Sequence, residues 1–150
     1  MKAFRFRLDQ ALRWRSVQRD AEKTRVAAAA KRLSEINADL DMRRRELSNA
    51  SGQIGPVTFG SALECLSAFS GMTRRRIGEL EKAALKAQRE LEVQTKALLE
   101  ANRKVRLIEN LKQTGRAEWQ KESDRELEAF ASESFLGRLQ SRERARSSGG

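Results

Sequence analysis

The chain has 150 residues, 35% of them charged, and a net charge of +10 from 31 Lys/Arg against 21 Asp/Glu. It holds one Pro, one Cys, no Tyr, no His and only 5% aromatic residues. That profile suits long exposed helices and argues against a packed globule. Without His the commonest general base and metal ligand is missing, and one Cys makes no zinc site. No catalytic residue, metal or cofactor is therefore expected.

The first element is a helix over about residues 3–50. Leu12, Val26, Leu33, Leu40 and Leu47 recur at seven-residue spacing, with Arg19 at the missing step. Ala29 and Ile36 share the companion position with Arg15, Glu22 and Arg43. Ahead of them, Phe4-Arg5-Phe6-Arg7-Leu8 alternates apolar and basic residues. It reads either as Phe4 and Leu8 starting the same seam, or as a surface for single-stranded nucleic acid or lipid. In the first case Phe6 and Trp14 are left for contacts. Residues 1–19 are Arg-rich and amphipathic, like an organelle transit peptide, but the helical pattern runs on through them.

Residues 51–60 contain Gly52, Gly55, Gly60 and Pro56, which stop a helix and predict a loop. Ser61 can cap the next helix, expected over about 61–142. There Leu63, Ile77, Ala84, Leu91, Leu98 and Val105 share one heptad position. Leu66, Leu80, Ala87, Ala101 and Ile108 share the other, broken by Thr73 and Gln94. A sustained seven-residue repeat implies a left-handed coiled coil. A short loop makes the two helices antiparallel neighbours. The fold class is thus all-α: an antiparallel two-helix coiled-coil hairpin with unequal arms. It forms a single domain over 1–146, with 147–150 a disordered tail.

With the turn centred near Gly55, residue i faces roughly residue 111 − i, so Leu47 meets Leu63 and Leu66, and Leu33 meets Ile77 and Leu80. Residues 111 to about 140 then overhang by about 45 Å. They carry Trp119, Leu127, Phe130, Phe135 and Leu139, which want a partner. Cys65 reads as a small apolar neighbour of the seam, and a lone Cys fits a reducing compartment. No run of about 18 apolar residues suggests a membrane span. Two triplets, Arg43-Arg44-Arg45 and Arg74-Arg75-Arg76, fall near the loop end. They are either solvated faces or a basic collar for an acidic surface.

Charge is uneven: residues 1–32 hold ten Lys/Arg against Asp9, Asp20 and Glu22, and Arg138 to Arg146 is again basic. Such charge attracts acidic proteins, nucleic acid or anionic lipid alike. A nucleic-acid-binding coiled coil is one reading, but acidic residues interleave through the second helix, so no nucleic-acid partner is expected.

Three blocks, with an Ala-rich stretch from Ala27 to Ala30, carry a resemblance. They are the opening Phe4-Arg5-Phe6-Arg7-Leu8-Asp9, the segment Asn102 to Leu111 containing Leu107-Ile108-Glu109, and the closing Leu127-Glu128-Ala129-Phe130-Ala131. Together they resemble the FliJ family, the small coiled-coil component of the bacterial flagellar type III export apparatus. Ala129 departs from the family's usual acidic residue, and the chain is more basic than many relatives. The resemblance implies a cytoplasmic, non-enzymatic stalk, peripherally associated with the inner face of the cell membrane through the export apparatus. Its partners would be the export ATPase hexamer, the cytoplasmic domain of the export gate and export chaperones, with no small-molecule substrate. Phe4, Phe6, Trp14, Trp119, Leu127 and Phe130 would then face the ATPase. Arg43, Arg44, Arg45, Phe69, Arg74, Arg75 and Arg76 would face the gate. The equivalent stalk of a virulence-type secretion system is the near alternative.

Overall fold

The computed structural model describes residues 2–52, 55 and 60–150. Two helices make up the fold, α1 (Asp9–Gly52, 44 residues) and α2 (Gly60–Ser147, 88 residues), with no strand among the described residues. The expected helical hairpin is present. Of the expected loop, positions 53, 54 and 56–59 lie outside the described residues. Helix α2 runs five residues past the expected end at 142. The chain forms two compact units, Ser16–Arg103 and Met1–Arg15 with Lys104–Gly150.

In the unit of residues 16–103 the two helices pack along the heptad seam. Arg19, Glu22, Val26, Ala29, Leu33, Ile36, Leu40, Arg43, Leu47 and Ala50 are all half-buried or buried, at alternating steps of three and four. On α2 the same spacing runs through Thr73, Ile77, Leu80, Ala84, Ala87, Leu91, Gln94, Leu98 and Ala101. Among the described residues of this unit only Leu40, Ala50, Thr73, Leu80 and Ala87 are buried, because two helices can cover a seam but not enclose a core. Polar seam residues on α1 find partners along their own helix. The Glu22 carboxylate pairs with Arg25 at 2.7 Å, and Arg43 reaches Glu46 at 3.1 Å and Asp39 at 3.4 Å.

The register differs from the count of 111. Arg32 pairs with Glu90 at 3.6 Å, Arg44 with Glu81 at 3.1 Å and Arg76 with Asp39 at 3.7 Å, so facing positions add to 115–125, all above 111. Both helices repeat every 3.5 residues, so a slide of about 10.5 residues brings apolar positions back onto apolar positions. Counting from the turn cannot separate those alternatives; in the observed register Arg32, Arg44 and Arg76 each reach a carboxylate of the opposite helix. One consequence is that the first turns of α2 lie beyond the end of α1. Leu63 and Phe69 are each 42% exposed, and Cys65 is exposed. Cys65 is therefore not a neighbour of the seam, and Leu63 does not meet Leu47.

In the other unit the helix does not start near residue 3. Residues 2–6 are non-helical, 7 and 8 form a turn, and α1 opens at Asp9, where an acidic side chain complements the helix dipole. The apolar–basic alternation is a period of two, the signature of an extended segment with two faces. Phe4 and Phe6 are half-buried, while Arg5, Arg7 and Leu8 are exposed. So Phe6 is not left over, and Leu8 does not join the seam. An extended chain advances about 3.3 Å per residue against 1.5 Å in a helix. The segment therefore covers α2 well beyond residue 110, and Ser123 is still only 3% exposed. The uncovered part of α2 begins at Asp124, not at residue 111.

Candidate functional site

The residues expected to face an ATPase divide into two groups. Phe4 and Trp119 contact one another, with ring centroids 6.1 Å apart and planes tilted by 52°. The Trp119 indole N–H donates to the Lys2 carbonyl at 3.1 Å. The Phe4 ring lies over Gly115, where a Cβ would sit 3.8 Å from it, in ordinary van der Waals contact. Phe6 lies under the Lys112 ammonium, 5.9 Å from the ring centroid, and Lys112 also binds Asp9 at 2.7 Å. These contacts fasten residues 2–9 to α2. Phe4, Phe6 and Trp119 are thus partly spent on the fold.

Trp14, Leu127 and Phe130 form the second group. They are 57%, 56% and 69% exposed, and Trp14 is flanked by the Arg15 guanidinium 4.8 Å from its ring centroid. Phe135, Leu136 and Leu139 continue the exposed apolar surface along α2. They are absent from the sequence-derived site, although the same signal, a large apolar residue beyond the covered seam, marks them.

The arginine triplets also divide. Arg43 is tied to α1 carboxylates, Arg44 bridges to Glu81, and Arg76 reaches Asp39 at 3.7 Å and Glu79 at 3.4 Å. Arg45, Arg74 and Arg75 are exposed and form no ion pair among the described residues. They are the positions free to meet an acidic surface, with Phe69 about one and a half turns from Arg74 and Arg75 along α2.

Among the described residues no group of three His, Cys, Asp or Glu side chains is placed to hold a metal. Among the described residues no helix is long and apolar enough to cross a membrane. Heptad-packed antiparallel helices with exposed apolar and basic surfaces define a coiled-coil protein that offers faces rather than a cleft. The family model described as flagellar FliJ protein matches residues 4–128, and the chain belongs to that family. Its role is in flagellar assembly and protein export, within the flagellar export apparatus. No curated protein and no solved structure matches the chain.

Proposed function

We propose that this chain is the non-enzymatic stalk of the flagellar export apparatus, joining the export ATPase hexamer to the membrane export gate and assisting chaperone handling. On this reading it hydrolyses nothing itself and works in the cytoplasm, held at the inner face of the membrane by its partners. The observation that carries the proposal is the stretch of α2 from Asp124, where Leu127 and Phe130 stand more than half exposed. Large apolar side chains on an unaccompanied helix gain stability when a partner covers them. A ring lumen can cover all sides of such a helix. Phe4 and Trp119 would then brace its base instead of entering the ring. The flagellar description of the matching family favours this over a virulence-type stalk.

Truncation after Ser123 tests the proposal, because it removes the uncovered helix and keeps the contacts of Lys2, Phe4, Phe6 and Asp9 with Trp119 and Lys112. Binding to the purified export ATPase, followed by calorimetry, should weaken at least tenfold while thermal unfolding of the remainder is unchanged. Full-strength ATPase binding by the truncated chain would refute the stalk reading as placed here.

A further inference from the structure

The uncovered end of α2 has a pattern that a general apolar face does not require. Residues 124, 128, 131, 135, 138 and 142 follow one another at steps of four and three, so they lie on one face of the helix. They are Asp124, Glu128, Ala131, Phe135, Arg138 and Arg142, and all six are exposed. The face thus reads acidic, acidic, apolar, apolar, basic, basic. Leu127 and Leu139, 56% and 40% exposed, border its centre on either side. The positions are symmetric about residue 133. A two-fold axis there sets Asp124 opposite Arg142, Glu128 opposite Arg138 and Ala131 opposite Phe135, with Leu127 and Leu139 in the same layer.

We propose that this face binds a second copy of the same chain, antiparallel, as a self-complementary contact about residue 133. Each charge pair occurs twice in such a contact, giving four acid–base pairs around one apolar centre. A parallel arrangement would instead set Asp124 against Asp124 and Arg142 against Arg142. None of the four charged side chains forms an ion pair within the chain among the described residues; Asp124 accepts one exposed hydrogen bond, from the Gln120 amide at 3.0 Å, through one of its two carboxylate oxygens. Glu133, which would meet its own copy at the axis, lies on the opposite side of the helix from Ala131 and Phe135. Ala131, Phe135, Arg138, Leu139 and Arg142 all lie beyond the residues matched by the family. The contact is independent of the stalk reading. It covers part of the surface assigned there to the ATPase, so the paired chain is a form in which that surface is closed.

The test is charge exchange on the full chain, read by sedimentation equilibrium at about 100 μM with no ATPase present. Its failure therefore leaves the ATPase reading untouched. The natural chain should approach twice its 17.0 kDa mass. The double variant Asp124→Arg/Glu128→Arg, and separately Arg138→Glu/Arg142→Glu, should each lose self-association at least tenfold. Their equimolar mixture should form a one-to-one complex, and all four changes in one chain should restore self-association. Far-UV circular dichroism confirms that the variants remain helical. A natural chain that stays at single-chain mass, or double variants that associate as well as it does, would overturn the proposal.

Discussion

Gly115 shows how one position joins local propensity to tertiary contact. It sits inside α2, where glycine costs about 0.5–1 kcal/mol relative to alanine. A methyl group there would meet the Phe4 ring at 3.8 Å, which is ordinary van der Waals contact. Gly115→Ala should therefore raise stability by about 1 kcal/mol, read as an upward shift in Tm. The comparison is Gly78→Ala, where an added Cβ meets nothing within 4 Å and only the propensity gain remains. Hydrogen exchange in residues 3–8 separates the two, since only the change at Gly115 should slow it. A substituent much larger than methyl at 115 would push the Phe4 ring away and loosen residues 2–9 instead.

At the scale of the elements, the heptad decides which apolar residues matter. Val105 is 1% exposed on the seam face of α2, and Val93 on the same helix is 63% exposed. Val105→Ala removes buried methyl groups and should cost about 2 kcal/mol in urea unfolding. Val93→Ala should change stability by less than about 0.5 kcal/mol, since a β-branched residue gains little from an exposed helical position. Equal losses at the two sites would mean that the seam is not the stabilising surface. These inward faces were legible in the sequence because a period of 3.5 is visible without knowing the partner. Even the polar members, Glu22, Arg43, Thr73 and Gln94, stand where the spacing puts them. The slide between helices was not legible, because periodic patterns match at several offsets. The start of α1 at Asp9 was not legible for a related reason. The alternation of Phe4 to Leu8 fits an extended segment, but a neighbouring helix pattern long enough to absorb it hid the change of period.

For the molecule as a whole, the basic excess falls into two kinds of residue, and composition cannot tell them apart. Arg44 and Arg76 are structural, each holding a carboxylate of the opposite helix. At 55% and 52% side-chain exposure such pairs contribute at most about 1 kcal/mol. Arg45, Arg74 and Arg75 hold nothing within the chain among the described residues. The heptad spacing already sets Arg43 on the seam; among the other five arginines only the register separates the paired from the unpaired. If the gate-facing reading is correct, the second set provides the contact with an acidic partner surface. The triple variant Arg45→Gln/Arg74→Gln/Arg75→Gln should then weaken binding to the cytoplasmic domain of the gate at least tenfold, with stability unchanged within about 0.5 kcal/mol. Arg44→Gln/Arg76→Gln should do the reverse, lowering stability modestly while leaving most of the binding. Salt supplies an internal control: raising ionic strength from 0.05 to 0.5 M shortens the screening length severalfold. Natural-chain binding should therefore fall toward that of the triple variant, whose own binding should be nearly insensitive to salt. Unaltered gate binding by the triple variant would move the contact off the arginines and leave Phe69 and the exposed first turns of α2 to provide it.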